Sequence, residues 1–365
     1  ERLVDIWEEI LGTEQIGITN DFFDLGGHSL AGTRMISKIY KELDVEISLA
    51  DLFNHPTIGQ LAPYITNIHQ TQYRRINPID SREYYPLSSA QKRIYVLEQL
   101  EDNSTSYNIP GAMKIEGNYD PARLIETLNQ LMGRHEVLRT TFELRDGEPV
   151  QIVHPKLEIE LEKWSIDESS SNEKAIDKIN KIIKQFIRPF DLSQGPLFRV
   201  GLIEGDEFTI LIYDIHHIIS DGQSMKILME EMVQLYQGQP LEELPVQYKD
   251  FAIWQNNHLK SDEIKETEEF WLDKFAGKIP VLDLPTDKPR PSVKDFDGND
   301  INFQLSAELS NQLKGLARER GVTLYMLLLA SYTLLLSKYS GQDDIIVGSP
   351  VAGRRDTDLE KLMGM

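Results

Sequence analysis

Phe208-Thr209-Ile210-Leu211-Ile212-Tyr213-Asp214-Ile215-His216-His217-Ile218-Ile219-Ser220-Asp221-Gly222 decides how this 365-residue chain is read. Phe208 to Ile215 is a near-continuous apolar run, the pattern of a strand buried on both faces. A helical stretch, Met225 to Tyr236, follows it, so the region is mixed α and β. The polar residues between strand and helix sit where functional loops commonly lie. Neighbouring residues at a strand end face opposite sides, so His216 and His217 cannot share one task. One can face a cavity while the other packs inside. A pair of satisfied structural histidines is the plain alternative. Zinc fits poorly, because His-His followed by Asp221 offers no convergent third ligand nearby in sequence. A Ser-His-Asp hydrolase lacks its Gly-x-Ser-x-Gly elbow.

Toward the N-terminus, Asp120-Pro121 is an N-cap and N1 pair opening a helix with Leu124, Leu128 and Leu131 on one face. Val137 to Leu144 and Val150 to His154, around Arg145-Asp146-Gly147, read as a hairpin. Toward the C-terminus, four prolines between Pro280 and Pro291 break the chain. A strand (Ile301 to Leu305), a helix from Ala307, an apolar helix and a strand (Asp344 to Gly348) are expected beyond them. The apolar run Val322 to Ser337 is too short to cross a bilayer, which takes about 20 residues. It reads as a buried core helix.

Residues 1–66 differ in character. A first helix runs from Leu3 to about Gly12, and helical spacing resumes at Ser29. Ser48 caps a short helix through Phe53, and Thr57 caps a last one that Pro63 should weaken. A small helical bundle follows from this pattern. Residues 67–83 are polar and aperiodic, an interdomain linker.

The chain carries 38 Lys and Arg against 59 Asp and Glu, a formal charge of −21. That balance argues against broad nucleic-acid binding and against an anionic membrane surface. With no cysteine there is no disulfide, thiolate metal site or cysteine nucleophile, which suits a reducing compartment. No basic-then-apolar leader opens the sequence, so a cytoplasmic protein is expected. No metal site is expected.

Gly26-Gly27-His28-Ser29-Leu30 sets a small hydroxyl at a helix start behind two flexible glycines. Free N–H groups and the helix dipole favour a phosphate diester there. Ser29 as a simple N-cap is the alternative. Asp21-Phe22-Phe23-Asp24-Leu25-Gly26-Gly27-His28-Ser29-Leu30, with Leu52-Phe53-Asn54-His55-Pro56-Thr57-Ile58, closely resembles the attachment region of peptidyl carrier (thiolation) domains of nonribosomal peptide synthetases. The resemblance implies that Ser29 bears 4′-phosphopantetheine, whose thiol carries an aminoacyl or peptidyl thioester.

His216-His217-x-x-x-Asp221-Gly222 resembles the signature of condensation domains, of the chloramphenicol-acetyltransferase-like superfamily. Four further stretches match in order: Tyr85 to Arg93, Arg134 to Phe142, Tyr248 to Gln255, and Gly348 to Arg354. The implied architecture is multidomain. A small all-α four-helix carrier bundle (1–66) and linker (67–83) precede an α/β condensation domain of two lobes, 84–260 and 261–365, the second incomplete.

The resemblance implies amide-bond formation between the donor thioester and a downstream aminoacyl thioester. His217 matches the family's catalytic residue. It either takes the amine proton, an imidazole titrating near 6.5 in model peptides, or positions the amine; an α-amine of pKa near 8 is already about a tenth neutral at pH 7. Gly222 leaves room for the substrate arm and can present its N–H to the reacting group. His216 reads as packed and structural. Asp221 either orients His217 or, as the family suggests, pairs with an arginine, Arg354 or Arg139. Trp254 and Tyr248 read as core anchors.

Implied partners are a phosphopantetheinyl transferase, an upstream adenylation domain and a downstream aminoacyl carrier domain. Two other functions remain. Epimerisation domains share the His-His signature, but usually carry tryptophan where this chain has Met225. Silent docking modules typically lose the signature, which is whole here. The motifs resemble the subtype joining an L-donor to an L-acceptor.

Overall fold

The computed structural model describes residues 2–27, 29–45, 47–67, 76–100, 104–117, 119–166, 172–205, 208–289, 298, 301–351, 353–354 and 357–365. His28, residues 68–75 of the expected linker and Ala352 lie outside the described residues. Two compact units are present, Glu1–Lys260 with Ala352–Met365, and Ser261–Val351.

The first unit opens with α1 (Arg2–Leu11), α2 (Ser29–Leu43), α3 (Leu49–Asn54) and α4 (Ile58–Thr66). Their inner faces bury Trp7, Phe22, Met35, Ile39, Leu52 and Leu61 completely. Ser48 Oγ accepts the Asp51 N–H at 3.1 Å and the Asp51 carboxylate accepts the Ser48 N–H at 2.7 Å, a reciprocal cap that starts α3. Thr57 Oγ1 accepts the Gln60 N–H at 3.3 Å at the start of α4. Pro63, expected to kink or weaken α4, lies inside the helix, which continues to Thr66. Burial of Ile58, Leu61 and Ile65 on one face holds the helix together despite the missing donor.

β1 (Tyr85–Pro86), α5 (Ser89–Glu98), β2 (Asn108–Ile115) and α6 (Pro121–Arg134) follow. The expected hairpin forms from β3 (Thr140–Arg145) and β4 (Glu148–Val153), but its first strand starts later than the sequence suggested. Glu136–Arg139 is a 3-10 turn instead. Thr140 Oγ1 donates to Glu136 O at 2.7 Å, and the consecutive burial of Val137 and Leu138 suits a turn rather than an alternating strand. β1, β4 and β3 form an antiparallel three-stranded sheet.

β5 (Leu161–Ser165), α7 (Asn172–Phe186), β6 (Phe198–Glu204), β7 (Thr209–His216), α8 (Gly222–Tyr236) and α9 (Tyr248–His258) complete the first unit up to Lys260. The second sheet runs β2-β7-β6-β5, antiparallel except for the parallel β5–β6 pair. β7 is interior to the sheet, and its side chains enter two cores, Leu211 and Ile215 in one and Ile212 in another, which explains its near-continuous apolar run.

α6 packs on α8 through a buried polar knot. Glu231 lies 2.6 Å from His135 Nε2 and accepts from Arg134 Nε at 3.0 Å. Burial pushes the Glu231 carboxyl up, but the hydrogen bonds and charges of His135 and Arg134 win, leaving it below its ordinary value. A lowered folded-state value means this contribution is complete above the unfolded pKa of about 4.3 and drains as pH falls through the folded one. Glu231→Gln should therefore lower stability at neutral pH and flatten the acid limb of a stability–pH curve measured by urea denaturation. An acid limb as steep as that of the parent chain would contradict this.

The second unit contains α10 (Asp262–Lys274), α11 (Ala307–Glu319) and α12 (Leu324–Ser340). Two expectations fail here. Residues 301–305 and 344–348 carry no regular secondary structure and join no sheet among the described residues. An apolar alternation makes a strand only where a neighbouring strand completes the ladder. The apolar α12 is not a buried core helix either: Leu336 is buried, while Tyr325, Leu334, Leu335 and Tyr339 are exposed. Its partner is α11, and no sheet layer covers it among the described residues. Among the described residues, no single helix is long and apolar enough to cross a membrane.

Candidate active site

β7 delivers the motif. In the ladder His216 faces Asn108 of β2, and its N–H donates to Leu197 O at 3.0 Å. The chain then winds into a 3-10 turn, His217–Ile219, before α8. Four hydrogen bonds hold this turn. His217 N–H donates to Tyr107 O at 2.8 Å, and Ile218 N–H donates to the His216 ring Nδ1 at 3.1 Å. Gln91 of α5 donates from Nε2 to Ile218 O at 3.2 Å, and Ser220 N–H closes the turn on His217 O at 3.2 Å.

The two histidines do separate, although not by strand alternation: β7 ends at His216, and His217 opens the 3-10 turn. His216 is fully buried, with Phe190 edge-on to its ring at 5.9 Å. His217 is half-buried, and its Nδ1 has no hydrogen-bond partner among the described residues. That nitrogen is itself buried, as is the equally unpartnered Nε2 of His216, so it is the greater exposure of the His217 ring that makes it the one of the pair an incoming amine can reach.

Asp221 is the N-cap of α8. Its Oδ1 accepts from Ser224 N and lies 2.7 Å from Ser224 Oγ. Arg354 brings Nη2 to the same oxygen at 3.1 Å. Arg354 also donates to the carbonyls of Leu359 and Leu362, while Gly364 N–H donates to Ser224 Oγ at 2.9 Å. Leu359, Leu362 and Met363 enter the same core as β7. Arg139 lies elsewhere: it pairs with Glu136 at 3.4 Å and donates to His154 O. The structure thus brings together His216, His217, Asp221, Gly222 and Arg354, and leaves Arg139 apart. Gly222 is exposed at the start of α8, with open space where a Cβ would stand.

Behind the motif, burial pushes the Asp214 carboxyl up, and the Arg199 guanidinium and Asn108 amide pull it part of the way back. Burial also brings Arg199 down to about 10. Tyr248 is buried, its hydroxyl 3.0 Å from Ser88 Oγ, and Trp254 stacks on His258. Among the described residues no cluster of three or more His, Asp or Glu side chains is placed to hold a metal ion.

In the helical bundle, Ser29 is the first residue of α2. Gly26 before it takes φ 98°, a conformation that favours glycine, with open space where a side chain would project. A Cβ on Gly27 would strike the Phe22 ring at 2.4 Å, so the loop is pressed onto the bundle just before the helix begins. An open backbone and a helix N-terminus fit a phosphodiester on Ser29. Further along α2, Arg34 Nε lies 2.9 Å from Glu360 and Lys41 pairs with Asp358.

Residues 81–365 match the condensation-domain model, and residues 1–65 match the phosphopantetheine attachment site. The chain belongs to the condensation-domain family. Its first 65 residues are a phosphopantetheine-attachment domain. All of the chain aligns with tyrocidine synthase 3 of Brevibacillus parabrevis, 48% identical over 365 residues, which is 6% of that protein. Surfactin synthase subunit 1 of Bacillus subtilis (strain 168) is 48% identical over 366 residues, 10% of its length. The chain therefore spans a tenth or less of these relatives. Among solved structures, the X-domain from teicoplanin biosynthesis superposes with TM-score 0.69 at 24% identity, covering 80% of this chain and 65% of that one. The four-domain nonribosomal peptide synthetase AB3403, bound to AMP and glycine, gives 0.67 at 25% identity, covering 78% of this chain and 22% of that one. These superpositions establish the condensation-domain α/β fold.

Sequence reasoning missed three members of the site. Gln91 and Ser224 hold the turn and the cap, and both stand inside or beside quoted motifs. Nothing in the sequence marks Glu98, which lies 3.7 Å from His216 Nε2.

Proposed function

We propose that this chain is the carrier and condensation segment of a nonribosomal peptide synthetase. Ser29 bears 4′-phosphopantetheine, whose thiol holds the donor peptide as a thioester, and the condensation domain joins that peptide to a downstream aminoacyl thioester. The supporting observation is His217, less buried than its neighbour His216, at the head of a turn held by the Tyr107 carbonyl, Gln91 and the His216 ring. The amine nitrogen bonds to the thioester carbonyl carbon, the carbon–sulfur bond breaks to release the pantetheine sulfur on Ser29, and the proton lost by nitrogen passes by way of His217 or water and leaves that sulfur as the free thiol. Thioester aminolysis is downhill, so placement of the amine and of developing charge is the main demand.

The proposed domains are carrier 1–66, linker 67–83, and lobes 84–260 and 261–365. The proposed partners are a phosphopantetheinyl transferase, an upstream adenylation domain and a downstream aminoacyl carrier. An L-donor, an L-acceptor and a cytoplasmic setting complete the reading. In the full synthetase chain, Ser29 would be loaded with an L-peptidyl pantetheine in heavy water and offered an aminoacyl carrier. A new amide, read by mass spectrometry, is expected. Deuterium at the α-carbon without amide would mean epimerisation, and neither product would mean a docking module.

A further inference from the structure

Glu98, the last residue of α5, belongs to none of the motifs above. Its side chain is only 9% exposed, and its Oε2 lies 3.7 Å from His216 Nε2. Neither atom has a hydrogen-bond partner among the described residues. The opposite edge of the same ring is committed, since Nδ1 accepts the Ile218 N–H. An accepting Nδ1 carries no proton, so the ring proton must sit on Nε2, the atom beside Glu98. The rest of the ring's surroundings are the Phe190 and Tyr107 rings and, two residues back on β7, Asp214, which is held by Arg199 and Asn108. A leucine would fill the space of Glu98 without the cost of burying a carboxylate, so packing does not account for it.

We propose that Glu98 is a positioning residue: it fixes His216 with its proton on Nε2, which keeps Nδ1 free to accept from Ile218 and so sets the turn that presents His217. The inference rests on the reading of His217 as the reacting group. Outer partners that fix a histidine tautomer in this way are familiar from metal sites. Here the ring they orient holds backbone instead.

The test is condensation kinetics of Glu98→Leu and Glu98→Gln in the full, donor-loaded synthetase, with hydrogen exchange of the peptide spanning 217–220. Glu98→Leu should lower kcat by about 10- to 100-fold at unchanged KM for the acceptor, the scale of a small misplacement of a reacting group. Its 217–220 amides should exchange faster. Glu98→Gln keeps a partly negative oxygen facing the Nε2 proton, and should lose only about fivefold, with exchange close to the parent. Parent kcat in Glu98→Leu, or equal losses in both variants with unchanged exchange, overturns the proposal. If Glu98→Leu does not fold, Glu98→Gln decides: a kcat loss at constant KM upholds the role and full kcat overturns it. A His217→Ala control separates the readings. Undiminished amide formation there sinks the functional assignment, whereas normal Glu98 variants beside an inactive His217→Ala sink this inference alone.

Discussion

His217→Ala is expected to lower amide formation by about 10²- to 10³-fold, within the range for loss of a positioned acid or base, while the melting temperature stays close to the parent. The stability half follows from the contacts. The turn is held by the backbone of His217, Ile218 and Ser220, by the His216 ring and by Gln91. The His217 Nδ1 holds nothing among the described residues. The rate half separates two roles. If His217 only stripped a proton from an ammonium before attack, its loss could cost no more than about tenfold at pH 7, because about a tenth of an α-amine is already neutral. Raising the assay to about pH 9 would then restore the rate. A deficit that persists at pH 9 means the imidazole acts as the bond forms, by aiming the amine or taking its proton. A variant with the parent rate at both pH values would remove His217 from the reaction.

The parts legible in the sequence were those whose signal is local. Ser48, Thr57 and the Asp120-Pro121 pair start helices where they were read, because a cap acts across three residues. The run before His216 gave β7 because an interior strand is apolar on both faces. β2 escaped notice since Pro110 and Gly111 look like a turn. Yet Pro110 lies in a strand paired on one edge only, and Gly111 is where Tyr213 crosses, its ring 2.1 Å from where a Cβ would stand. The choice between Arg139 and Arg354 was open because both are arginines in matched motifs. Only the fold, carrying Arg354 and residues 357–365 back onto α8, makes one of them a neighbour of Asp221. Glu98 could not be found at all: 118 positions separate it from the ring it approaches. α12 misled for the opposite reason, since composition reports what a helix can bury and not what lies beside it.

The largest stability effect is expected at Asp221. Asp221→Ala removes three things at once: the cap on the Ser224 N–H, the carboxylate beside Ser224 Oγ, and the counter-charge of Arg354. Breaking a buried ion pair from one side costs about 3–5 kcal/mol, because a charge is left without its partner. The Asp221 and Arg354 side chains keep 20% and 13% exposure, and Arg354 retains the carbonyls of Leu359 and Leu362, so the low end applies. With about 1 kcal/mol for the lost cap, the expected loss is about 4 kcal/mol. At about 2–4 °C per kcal/mol for a domain of this size, melting should fall by roughly 8–16 °C in calorimetry. Asp221→Asn keeps an oxygen for the Ser224 N–H and should lose less than half as much. That ordering is the signature of a clamp, in which Asp221 ties α8 to Arg354, and through it to Leu359 and Leu362, and serves His217 only by keeping its turn in place. The alternative, an aspartate that orients His217 directly, predicts the reverse: near-parent melting in both variants, with the rate falling as far as in His217→Ala. The geometry favours the clamp, since the charge and hydrogen-bond capacity of Oδ1 are already taken up by Ser224 and Arg354.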